Sequence, residues 1–118
     1  MSQDKIAEIL NALKNIKGVH GAAIIEKFGL IRGRALPGWI DEESVAAMVT
    51  LILKASQRAS KELEQGTFDG AIVESQKGRI LFDNIKDNII VVISGIDAKL
   101  GIVKLKLNAA VKALTPLL

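Results

Sequence analysis

Between Asp41 and Gln65 the apolar positions of this chain follow two helical stripes at once. Val45, Val49, Ile52, Ala59 and Leu63 share one face, at the spacing of a helix laid on a core. Ala47, Met48, Leu51 and Ala55 form a second stripe beside it. One sheet covers only one of these, so the first three turns require another partner, and the expected partner is the same stripe on a second copy of the chain. Lys54, Arg58, Lys61, Glu62 and Glu64 crowd the later turns. Asp41 suits the N-cap and Glu42 and Glu43 suit the positive end of the helix dipole, while Gly66 marks the stop. Ile40 and Val45 have the spacing of a hydrophobic staple.

The flanking segments divide cleanly. Ile6, Ile9, Leu10, Leu13 and Ile16 predict an amphipathic helix from Ser2 to Lys17, stopped by Gly18. Val19 to Lys27 reads as a strand covered on both faces, because Ala22-Ala23-Ile24-Ile25 does not alternate. Phe28-Gly29 turns the chain into Leu30 to Ala35, with Arg32 and Arg34 on one face and Ile31, Gly33 and Ala35 on the other. Charges repeated along a strand guard a sheet edge, so this strand is expected at an edge. Phe68 to Ser75 and Arg79 to Asp83 are strands around the turn Gln76-Lys77-Gly78, and Asn84 to Asp87 turns again. Asn88 to Ser94 holds Ile89-Ile90-Val91-Val92-Ile93, five β-branched residues that require cover above and below and so a central place. Asp97 is the expected cap of a last helix that runs through Leu114, buries Leu100, Val103, Leu107, Ala110, Val111 and Leu114, and is ended by Pro116. The order α-β-β-α-β-β-β-α with short strand connections predicts an α+β, three-layer α-β-α sandwich.

With 118 residues and no linker, repeat or low-complexity stretch, one domain spanning 1–118 is expected. The net charge is +3, with 16 basic residues scattered among 13 acidic ones and no Tyr beside one Trp and three Phe. That footprint argues against nucleic acid, which needs a basic groove or repeated aromatic faces. There is no cysteine, no long apolar run and no signal-peptide pattern at MSQDK, so a cytoplasmic protein without direct membrane insertion is expected.

Catalytic constellations are missing. His20 is the lone histidine and reads as a polar residue at a strand entrance, so no metal site is expected. Ser56, Ser60, Ser75 and Ser94 lack a nucleophile elbow, and Gly29, Gly33 and Gly38 do not build a phosphate loop. Glu42 and Glu43 are adjacent on a helix and diverge by about 100°, too far to bracket one bond. Arg58 and Glu62 form an i, i+4 surface pair. Trp39 either packs over the start of the long helix or serves as a contact anchor. No catalytic residue and no cofactor are expected.

The element order, with GVHGAAIIEKFGLIRGRALP at the first hairpin, WIDEESVAAMVTLILKASQRASKEL along the long helix and DAKLGIVKLKLNAAVKAL at the end, resembles the Roadblock/dynein light chain domain family, especially the prokaryotic members that regulate Ras-like GTPases. The resemblance covers almost the whole chain. It implies a five-stranded antiparallel sheet with the long helix on one face and the terminal helices on the other. It further implies a dimer whose third strands meet edge to edge and whose second helices lie side by side. Carried onto this chain, Phe68, Gly70, Ile72 and Glu74 fall in the joining strand and Met48, Leu51 and Ala55 in the helix seam. A small GTPase binds beside or across the paired second helices in such members, and Lys54, Arg58 and Lys61 are the candidates for that surface. Arg32 and Arg34 depart from the small or polar residues of the family pattern.

The leading expectation is therefore a non-enzymatic homodimer that binds a small Ras-like GTPase and modulates its hydrolysis or its placement. The alternative is an assembly adaptor in a motor or membrane-tethering complex, without effect on hydrolysis. A small-molecule sensor would need a pocket between the sheet and the terminal helices, which the dense Ile, Val and Leu content is expected to fill. An arginine delivered in trans to the phosphoryl group is a further candidate device, with Arg32, Arg34, Arg58 and Arg79 as the trials.

Overall fold

The central strand dictates the layers. In the computed structural model, which describes residues 2–118, the elements are α1 (Ser2–Lys14), β1 (Val19–Glu26), β2 (Ile31–Ala35), α2 (Glu42–Glu62), β3 (Gly70–Ser75), β4 (Gly78–Ile85), β5 (Asn88–Gly95), α3 (Leu100–Leu114) and a 3-10 turn, Thr115–Leu117. The strands form one antiparallel sheet in the order β2-β1-β5-β4-β3. Side chains alternate across a strand, so the apolar run of β5 feeds two cores. Ile90 and Val92 join Ile6 and Leu10 of α1 and Val103 and Leu107 of α3. Ile89 and Val91 join Val45, Val49 and Leu53 of α2. Each such side chain contributes about 1.5–3 kcal/mol by leaving water, and a strand apolar on both faces gains this only between two helical layers.

Strand β1 is buried throughout its centre, as its unbroken apolar run required. Strand β2 is an edge, yet it does not alternate as its sequence suggested. Ile24 pairs with Gly33 but Ile25 pairs with Ile31, so Arg32 is the extra residue of a bulge. Ile31 consequently packs with the α2 core, whereas Ala35 belongs to the opposite one. Gly33 faces α1, where a Cβ would meet Ile6 and Leu10 at 2.9 and 3.0 Å.

Several boundaries shift for local reasons. Helix α1 stops at Lys14, three residues before the expected end, and Gly18, at φ +86°, serves the entry to β1. A side chain at Gly18 would strike the backbone of Ala98, so that glycine also lets the loop before α3 approach. Asp41 caps α2 as expected, accepting from the Ser44 N–H at 3.2 Å. The far end closes before Gly66 is reached: the Glu64 N–H donates to the Lys61 carbonyl and the Gln65 N–H to the Ser60 carbonyl, with Glu64 at φ +56°. This is a Schellman closure with glutamate in the position that glycine usually takes. Strand β4 runs on to Ile85, and the expected four-residue turn after it shrinks to Lys86-Asp87, with Ile85 opposite Asn88. Asp97 does not cap α3, whose first flanking residue is Lys99, without a side-chain cap bond.

Cover ends before β3. On the α1 and α3 side, a groove of about 690 Å³ opens between β3, β4 and α3, lined among others by Asp69, Ile72, Asp83, Lys104 and Asn108. The space under the terminal helices is thus filled over β1 and β5 but open beside β3. Desolvation there raises the pKa of Asp83 above its ordinary value of 3.8; Lys104 opposes the rise and Asp69 adds to it.

Two outcomes follow from these contacts. Replacing Asp41 with Ala removes the α2 cap and lowers stability by about 1 kcal/mol, read as a shift in the denaturant midpoint without a change in slope. A carboxyl whose pKa is raised on folding destabilises the folded state once it ionises, so Asp83→Asn raises the thermal midpoint at neutral pH. The gain shrinks as the pH falls through the raised pKa and vanishes below about 3.8; a gain that persisted at the acid end would refute this account.

Candidate functional site

Helix α2 holds the sheet with a face rotated from the one its sequence suggested. Val45, Ala46, Val49 and Leu53 are its buried residues, with Ile52 partly buried. Ala59 and Leu63 are exposed, and Leu53 is the last residue of the helix that is buried. Ala46 and Leu53 belonged to neither expected stripe. A fit to helical period with the sheet-facing centre moved about 50° toward them would have found both.

The second stripe stands free. Ala47, Met48, Leu51 and Ala55 are exposed, Leu51 at 69%. At about 100° per residue, Leu51 and Arg58 point away from the sheet, Met48 and Ala55 lie on one flank, and Lys54 and Lys61 lie on the other. Lys54 and Lys61 are exposed, while Arg58 Nε is 2.8 Å from Glu62 Oε1 in an exposed pair. Such a pair is a weak tether.

The two sheet edges are treated differently. On β2 the bulge at Arg32, the arginines and a bond from Gln3 Nε2 to the Arg32 carbonyl obstruct further pairing. Strand β3, GAIVES, has no bulge, proline or basic residue, and pairs only with β4. Ile72 is 40% exposed and Val73 lies beside it, also exposed. Glu74 pairs with its cross-strand neighbour Arg79 at 3.0 Å. Phe68, placed in this strand by its sequence, lies two residues before it and is buried in the α2 core, where it braces the edge from beneath.

The arginines suggested as donors in trans are mostly engaged. Arg34 Nε lies 2.7 Å from Glu42 Oε1, Arg58 and Arg79 are paired as above, and Arg32 occupies the bulge. Trp39 is exposed and meets His20 edge to face, ring centroids 5.4 Å apart, so it covers the strand entrance rather than the helix start. Among the described residues no three His, Asp or Glu side chains gather as a metal ion would require.

One residue was missed. Phe28, read only as part of a turn, is 84% exposed at the hairpin tip, with Lys27 Nζ 5.7 Å from its ring centroid. A hollow of about 250 Å³ lies between it and Thr50, Lys54 and Gln57 on the cationic flank of α2. The sequence held no distinct signal for it, since Phe28 stands between Lys27 and Gly29 with Leu30 and Ile31 following.

The frame that carries these exposed residues is one that other proteins share. Two uncharacterized proteins of Methanocaldococcus jannaschii are each 29% identical over 105 residues, covering 89% of this chain and 92% of their own. The structure of Myxococcus xanthus MglB superposes with a TM-score of 0.90 at 22% identity, covering 97% of this chain and 87% of that one. The gliding protein MglB from Thermus thermophilus gives 0.88 at 21% identity, covering 98% and 90%. The profile of the Roadblock/LC7 domain matches residues 5–94, and the chain belongs to the Roadblock/LC7 domain family.

Proposed function

We propose that this protein is a homodimer that binds a small Ras-like GTPase and modulates its hydrolysis or its placement, performing no chemistry alone. The observation that carries the reading is the coincidence of an unguarded edge, β3, with an unpartnered apolar stripe on α2. Two copies of β3 pairing antiparallel would continue the sheet across the dimer, with Gly70, Ile72 and Glu74 in the joining strand and Phe68 packed under each. Met48, Leu51 and Ala55 then close a helix seam. Apolar area removed from water contributes about 25 cal/mol per Å², so the stripe supplies the association energy and the strand bonds supply the register.

Seating the seam on one flank leaves Lys54 and Lys61 on the other, with Lys54 beside Phe28. An aromatic anchor next to free cations suits a partner with a carboxylate-bearing, partly apolar surface. Arg58 joins that surface by giving up its exposed pair with Glu62. Family membership and the likeness to the MglB structures support a GTPase as that partner. Self-association of such a fold has a parallel in an MglB structure with a tetrameric arrangement.

Leu51→Arg and Ile72→Lys each place a charge in the seam or at the joining edge, and each is expected to convert the dimer to monomer by light scattering at micromolar concentration; an unchanged mass for both would overturn the interface. A pull-down from the source cell, repeated with GDP and with a GTP analogue, is expected to retain one small GTPase in a nucleotide-dependent way. Turnover of that GTPase with and without this protein then separates modulation of hydrolysis from an adaptor role, in which the rate stays constant. Capture of no GTPase under either nucleotide would defeat the reading.

A further inference from the structure

The layer opposite α2 carries a different surface. Helix α3 buries Val103, Leu107, Ala110 and Leu114, yet its outward side is far from polar. Leu105 is 67% exposed and Ile102 is exposed beside it, as is Ile96 in the preceding loop. Lys99, Lys106 and Lys112 stand among these aliphatic side chains, and residues 98–118 contain no Asp or Glu. Lys104 instead lines the groove beside β3 together with Asp83. Lys17, at the end of the first loop, adds another cation: the Gly95 N–H donates to the Gly18 carbonyl, and Gly18 packs on Ala98. Asp97 is the one carboxylate in that loop. Helix α2 differs, because Glu42, Glu43 and Glu62 balance Lys54, Arg58 and Lys61 there.

We propose that the outer face of α3, with the loop before it, docks this protein on an anionic lipid surface. The lysines match the charge of such a surface, and each one near it raises partitioning roughly fivefold. The shape favours a bilayer over a folded partner. Aliphatic side chains protrude here from a convex helix, which a protein could seat only in a matching groove but a headgroup layer accepts by deforming. Lysine stems extend along the apolar side chains and hold their charges among the phosphates. The attachment is peripheral, since no helix among the described residues is long and apolar enough to cross a membrane. It does not rest on the GTPase reading, but it suits it: α2 lies on the other face of the sheet, so docking through α3 turns Leu51, Lys54 and Lys61 away from the lipid.

Co-sedimentation with phosphatidylglycerol-containing vesicles tests this, against vesicles of phosphatidylcholine alone. The protein is expected to sediment with the former, weakly or not at all with the latter, and less as salt rises. The double variant Lys99→Glu, Lys106→Glu should lower the apparent partition coefficient by about 25-fold or more, two cations at roughly fivefold each. Leu105→Ser should lower it several-fold with the salt dependence retained. Lys54→Glu with Lys61→Glu makes the same change of net charge on the opposite face and should leave binding within about twofold. All these side chains are exposed, and circular dichroism checks that each variant keeps its fold. Absent sedimentation with anionic vesicles, equal binding to neutral ones, or equal losses in the two double variants would each overturn the proposal.

Discussion

A strand that is apolar on both sides has no stable place except between two layers, and β5 imposes that condition on everything around it. Its alternate residues select different neighbours, α2 through Ile89 and Val91 and the terminal helices through Ile90 and Val92. The number of strands then sets what stays open. Five strands about 4.8 Å apart span about 24 Å, whereas two helices packed 8–10 Å apart shield about 20 Å. Helices α1 and α3 therefore cover four strands well and leave a groove at the fifth. On the other side a single helix needs help, which Phe68, Ile31, Leu36 and Ile40 provide at its flanks.

The shortage of cover falls on one edge only. Strand β2 is bent by its bulge, lies against α1 and carries two arginines, so its outer backbone is poorly presented. Strand β3 is straight in register and has aliphatic side chains exposed on both faces. A lone subunit in water gains nothing from this asymmetry. An exposed regular edge is an aggregation hazard, and in the proposed dimer a second copy would cover both this edge and the exposed apolar stripe of α2.

Much of this was legible in the sequence because it depended on period and punctuation. The β-branched run of β5, the Asp41 cap and the Phe28-Gly29 turn each rest on local physics that acts before tertiary contacts form. The second stripe of α2 was visible for the same reason. The misreadings share another cause. Arg32 became a bulge and Ile31 changed face because α1 needs Gly33 beneath Ile6 and Leu10, a contact between residues more than twenty positions apart. Ala59 and Leu63 kept the helical period but lost the sheet beneath them. Phe28 was overlooked because its exposure is a property of the folded hairpin. Asp97 had the right chemistry for a cap, but the approach of Ala98 to Gly18 sets the course of that loop.

The hold of α2 on its own subunit is also uneven along its length. Its buried residues lie between Val45 and Leu53, so the first three turns are fixed by packing and by the Asp41 cap. The remaining turns, which carry Lys54, Arg58 and Lys61, rest on a Schellman closure, one exposed ion pair and helix propensity. A helix segment with few buried contacts opens and shifts at lower free energy than one clamped to a core. The cationic half of α2 can therefore adjust to a partner while its apolar half stays in register with the sheet. That division follows from where the apolar residues stop, at Leu53, and Phe28 spans it, lining hollows with Glu43, Ala46 and Thr50 on one side and with Lys54 and Gln57 on the other.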